Sequence, residues 1–188
     1  MERVARHIAC LCLVFLLAGT SLPQAQAASL AKSFSSAWND FHVLVKNKKQ
    51  NKYRSPWKKL EKRFFSVYKR SPKGSYAPKA LFYCGRVNEE LGIHSFLAAD
   101  YRKGIDYFER VASRFPKHSW ADDALYHVAD IQLRRLKDSA AARKTANRIL
   151  KNYPKGDMWP KAKELVASIK TSPGSSAARP ANQSRPAN

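Results

Sequence analysis

A chain of 188 residues that is 44% hydrophobic and 11% aromatic holds enough apolar material for one folded domain with a real core, which excludes disorder throughout. Its 35 Lys and Arg against 14 Asp and Glu leave a formal net charge of +21, so the surface must seek anionic or acidic partners. Three cysteines are too few for a disulfide scaffold.

The first residues predict a secretory signal: Arg3 and Arg6 form a positive n-region, Ile8 to Ala18 an apolar h-region, and Ala25-Gln26-Ala27 a small-x-small cleavage site. The apolar stretch is roughly half of the ~20 residues that span a bilayer, and no stop-transfer segment follows. Cleavage before Ala28 and a periplasmic mature chain without a transmembrane span are therefore expected. Cys10 and Cys12 leave with the signal, and no lipid-anchor pattern precedes either. Cys84, the one thiol kept, sits among Leu81, Phe82 and Val87 and is expected to be buried and inert. An exported protein rarely meets nucleic acid, which leaves cell-wall carboxylates, lipid head groups and acidic proteins as partners.

No alternating β-pattern of useful length occurs, whereas apolar residues recur at helical spacing. The pattern predicts an all-α fold of about seven antiparallel helices. The first, 30–46, aligns Leu30, Phe34, Trp38, Phe41 and Val45, and the second, 57–70, aligns Trp57, Leu60, Phe64 and Val67. The third, 76–91, stops at Gly92 as a C′ glycine. The fourth, 98–114, stacks Tyr101, Ile105, Phe108 and Val111. The fifth, 120–136, opens with Ser119 as N-cap and Asp122 three residues on, so Asp122 and Asp123 read as helix-start acids and not as a catalytic pair. The sixth, 139–152, follows Asp138 as cap, and the seventh, 158–170, carries Trp159, Ala162, Leu165 and Ile169. The domain is thus expected over 28–171. From 172 to 188 a Pro/Ala/Ser-rich tail, with Arg179-Pro180-Ala181-Asn182 echoed at 185–188, cannot bury a core.

An internal repeat organises these helices. Three joints superimpose: Phe65 to Ala80, Phe108 to Ala124 and Asn147 to Ala162. Each ends a helix, puts Pro-Lys in the turn at Pro72, Pro116 or Pro154, offers Ser or Asp as a cap, and supplies a bulky apolar residue and then Ala80, Ala124 or Ala162 in the next helix. Proline stops the outgoing helix, and the alanine lets two helix backbones approach closely. The prolines lie 44 and then 38 residues apart, against about 34 for a minimal tetratricopeptide repeat. The architecture expected is a tetratricopeptide-like α-solenoid.

Pro72 to Phe82, Tyr107 to Val111, Arg114 to Leu125 and Tyr153 to Met158 together resemble the amino-terminal tetratricopeptide-type region that precedes the catalytic domain in some bacterial N-acetylmuramoyl-L-alanine amidases. More distantly, the chain is similar to the repeat domains of the Tol-Pal-associated periplasmic coordinator and of outer-membrane-assembly lipoproteins. The resemblance covers 28–169 and implies a role in cell-wall remodelling or envelope assembly. It also implies that the zinc hydrolase of such amidases would lie downstream, with the tail as linker.

Within the chain itself no catalytic or metal site and no cofactor is expected. His42, His94, His118 and His127 show no zinc spacing, and there is no nucleophile elbow or glycine-rich phosphate loop. The strongest binding feature is the stretch from Lys46 to Lys73, which has Glu61 as its single acid. Its Lys48, Lys49, Lys52, Arg54, Lys58, Lys59, Lys62 and Arg63 form a candidate anion-binding face. A solenoid that binds on the surface lined by the first helix of each pair nominates Arg86, Arg134 and Arg135 as partner contacts. The function expected is a periplasmic protein-interaction scaffold whose partner is an acidic envelope protein or anionic cell-wall polymer. The non-catalytic part of an amidase and a polymer- or lipid-binding basic module stand as alternatives.

Overall fold

The computed structural model describes residues 21–171, and side chains over 24–169. The h-region, Cys10, Cys12 and the tail from 172 lie outside the described residues. Among the described residues seven helices follow one another: α1 (Ser21–Lys46), α2 (Arg54–Arg70), α3 (Ala77–Ser95), α4 (Ala98–Arg114), α5 (Ala121–Asp130, continued by a π-helical turn over Ile131–Arg135), α6 (Ser139–Asn152) and α7 (Trp159–Thr171). Each packs chiefly on its chain neighbours, and there is no strand among the described residues. The chain is an all-α, tetratricopeptide-like solenoid in which α1–α2, α3–α4 and α5–α6 form three pairs and α7 covers the last.

The joints between pairs repeat one ladder, except that its first rung spans three residues at Ser71 and four at Phe115 and Tyr153. The amides of Ser71, Phe115 and Tyr153 close the outgoing helix on the carbonyls of Tyr68, Val111 and Ile149. Three residues on, those of Gly74, His118 and Gly156 bond back to Ser71, Phe115 and Tyr153, and those of Ala77, Ala121 and Trp159 to Gly74, His118 and Gly156. The amides of Ala80, Ala124 and Ala162 then open the next helix on Tyr76, Trp120 and Met158. This ladder spends the orphan groups that helix ends would otherwise leave bare. Ala80, Ala124 and Ala162 are each 0% exposed, as close helix approach demands.

A second register holds the pairs together. The second helices α2 and α4 are tied by Arg54 to Asp100, by the Tyr107 hydroxyl donating to Glu61, and by Arg114 donating to the Tyr68 hydroxyl, each pair 46 residues apart. Between α4 and α6, Arg148 forks onto both oxygens of Glu109 at 2.6 and 2.9 Å. The apolar core divides in two. One cluster runs from Leu30 to Ile131 and fills α1 to α5, while the other, from Ala112 to Ile169, joins the far face of α5 to α6 and α7.

Three local expectations are corrected. Helix α3 does not stop at Gly92 but runs another turn to Ser95, and Phe96 takes the left-handed cap at φ 57°. Gly92 is instead required inside the helix, because a Cβ there would lie 2.8 Å from the Tyr101 ring. No serine side chain caps α3 or α5: Tyr76 and Trp120 hold the cap positions without a side-chain bond, and the Trp120 amide donates to His118 Nδ1 at 3.1 Å in place of a Ser119 cap. Trp38 is 40% exposed and leaves the buried stripe of α1 to Ala37 and Leu44. Asp138 does cap α6, accepting from the Ala141 amide at 2.9 Å, and Cys84 is 0% exposed, its thiol pushed well above the usual range by burial.

Candidate functional site

The first helices α1, α3 and α5 present a linked row of side chains. The Trp38 indole donates to the Tyr83 hydroxyl, Tyr83 meets Trp120 at 6.1 Å, and Lys79 lies over both Tyr76 and Trp120. Sequence reasoning missed exposed Trp38 and half-buried Tyr83 as members of this row because both fall beside apolar positions at helical spacing. On the same row, Arg86 meets Glu89 at 3.2 Å and Glu90 at 3.4 Å, with its guanidinium over the Phe41 ring, and Arg134 pairs with Asp130. Two of the three nominated arginines are thus neutralised on their own helix. Arg135 is exposed and lines a cleft with Leu133, Lys137 and Ser139.

The predicted anion-binding face divides likewise. Arg54 forks onto Asp100 at 2.7 and 2.5 Å, Arg63 pairs with Asp40, and Lys58 reaches Glu61 at 3.2 Å. Glu61 is 5% exposed and also takes Lys103 at 2.6 Å. Burial pushes its carboxyl up, but the lysines outweigh burial and hold it below the usual range. Lys48, Lys49, Lys59 and Lys62 are exposed and form no ion pair among the described residues, and Lys52 reaches only the Tyr53 ring, at 5.2 Å. Five of the eight face residues therefore keep their charge for a partner.

The four histidines among the described residues are engaged in packing, capping or pairing, with His127 Nδ1 3.0 Å from Glu89. His127 stacks on Phe108 at 4.9 Å, His94 on Trp57 at 5.9 Å, and His42 lies edge-on to Trp38. His118 must be neutral to accept from Trp120, and burial together with Lys79 lowers its pKa accordingly.

Asp122, Asp123 and Asp157 bring carboxylate oxygens within 4.8 Å of one another at the third joint. Asp122 accepts from the Met158 amide at 3.4 Å, and a Cβ at residue 156 would fall 2.2 Å from its Oδ2, so Gly156 is there to admit it. The cluster is part of the joint. Asp123 has its pKa raised to about 6 by burial, then by Asp157 and Asp122. An acid held neutral by the fold contributes stability at low pH that is lost as pH rises from the ordinary aspartate value towards 6. Asp123→Asn is therefore expected to raise stability at pH 7 by about 1 kcal/mol, a figure reduced for solvent screening at a half-buried site. Thermal melts across pH check this: the gain should vanish near pH 4, and a gain independent of pH contradicts it.

Residues 123–156, from α5 through α6 to the glycine of the third joint, match the tetratricopeptide repeat family. That segment is a tetratricopeptide-type repeat. Its helix pair and joint are the unit that the structure repeats upstream. No curated protein matches the chain. Repeats of this type act as protein-binding modules, burying a continuous core between stacked units and offering the outer faces to partners.

Proposed function

We propose that the chain is an exported, periplasmic interaction scaffold whose basic surface docks an acidic envelope protein or an anionic cell-wall polymer, in support of peptidoglycan remodelling or envelope assembly. The carrying observation is that a fold built for contact leaves Lys48, Lys49, Lys52, Lys59 and Lys62 without carboxylate partners on one end. The signal-like pattern of Arg3, Arg6, Ile8 to Ala18 and Ala25-Gln26-Ala27 supports the address. The same lysines suit carboxylates of either a protein or a polymer, and the two differ in salt response.

The test begins with fractionation of cells making the full chain, which should yield a form beginning at Ala28 in the periplasmic extract. That form is then offered purified cell walls and envelope extract from about 0.01 to about 1 M salt, where the screening length shrinks from ~30 to ~3 Å. Capture of a protein that persists at high salt supports a protein partner, and retention on walls that falls steeply supports the polymer. An unprocessed cytoplasmic chain, or no capture by either at low salt, overturns the proposal.

A further inference from the structure

The far end of α1 and the start of α2 flank an open cleft of about 670 Å3. Leu44 and Leu60 lie at its base, and Val43, Tyr53 and Pro56 line it with them. Val43 is 63% and Tyr53 58% exposed, which leaves a trough of apolar surface on an otherwise heavily charged protein. Cations stand at its edge. Lys59 lines it unpaired, and Lys52 holds its ammonium 5.2 Å from the Tyr53 ring. The other two charged groups there, Asp40 and Arg63, neutralise one another.

The first turn of α2 adds a third component. Tyr53 supplies no side-chain cap and the turn holds no acid, while Ser55 and Pro56 of that turn line the cleft. Pro56 has no N–H, so the amides of Arg54 and Ser55 and the positive end of the dipole are left for an incoming carboxylate.

We infer that this cleft docks an acidic, aliphatic segment of a partner protein, with aliphatic side chains in the Val43–Leu44–Tyr53–Leu60 trough and carboxylates on Lys52, Lys59 and the amino end of α2. The inference rests on the scaffold reading above and names its site. A purely anionic polymer would satisfy the lysines and leave the trough wet. A second copy of this chain, at +21, carries the wrong charge for the rim.

The probes are a fluorescent synthetic peptide alternating Glu with Leu, an oligoglutamate of equal charge, and phosphatidylglycerol vesicles, each titrated against the full chain. The Glu-Leu peptide is expected to bind at least about tenfold more tightly than oligoglutamate, since each buried leucine contributes on that scale. The double variant Val43→Ser/Tyr53→Ser, both positions exposed, should lose about tenfold for the peptide and little for oligoglutamate; Lys59→Glu should weaken both. Circular dichroism confirms folding, and Lys59→Glu provides the second variant if the double one misfolds. Equal binding of the two peptides, undiminished peptide binding by the variants, preference for vesicles, or self-association that the peptide does not displace would each overturn the inference. Such a failure with envelope capture intact would leave the scaffold reading standing, whereas absence of any capture removes the scaffold itself.

Discussion

Trp57→Ala is expected to lower unfolding free energy by about 4 kcal/mol, in the range seen when a buried tryptophan is truncated and its cavity cannot collapse. Trp57 is 0% exposed, lies 6.2 Å from Phe41 of α1, and stacks on His94 of α3, so one ring binds three helices. Its indole also donates at 2.7 Å to the Asn51 carbonyl, and Asn51 in turn donates to Val45 at 3.2 Å. The lysine-rich segment 47–53 therefore hangs on this side chain. Denaturant titration measures the loss, and protease nicking of that segment should rise with it. Trp57→Phe keeps most of the volume and should lose less than Trp57→Ala, while a loss below about 1 kcal/mol for the alanine variant would contradict the account.

Gly85→Leu should cost about 3 kcal/mol by overpacking. A Cβ at Gly85 would fall 2.7 Å from the Phe108 ring, and one at Gly104 would meet the Gly85 carbonyl at 3.2 Å. Helices α3 and α4 thus cross backbone to backbone at two glycines, and Phe108, 0% exposed, has no room to retreat because it stacks on His127. The backbone entropy that glycine forfeits in a helix, about 1 kcal/mol, is offset by this approach. Chemical denaturation of Gly85→Ala and Gly85→Leu should show the larger side chain doing worse. A stabilised leucine variant would mean that the helices can separate.

The joints were legible because they are local. Pro72, Pro116 and Pro154 announce the turns within a few residues, and Ala80, Ala124 and Ala162 follow at fixed offsets, so joint and helix order come from sequence-near chemistry. The fate of the basic stretch was not legible in the same way. From 46 to 73 its only acid is Glu61, yet Arg54 is neutralised by Asp100 and Arg63 by Asp40, partners 46 and 23 residues away. Charge pairing across stacked helices depends on the register between pairs, which no window of sequence contains. Gly92 misled for a related reason: its lack of a side chain serves Tyr101 on the next helix and not a cap on its own. His118 stands where the other joints have Gly74 and Gly156, and it replaces the expected Ser119 cap with a ring nitrogen. The cleft beside Tyr53 was hidden because helical spacing shows which residues are apolar but not where a helix runs out of neighbours.

Nearest-neighbour stacking makes one demand that a single cooperative bundle does not. The cluster from Leu30 to Ile131 is completed by α5 without any residue of α6 or α7. A chain ending at Asp138 should therefore keep the helical circular dichroism of α1 to α5 and melt cooperatively at low protein concentration, with the cleft beside Tyr53 intact. Loss of the whole helical signal on removal of α6 and α7 would contradict the stacked array.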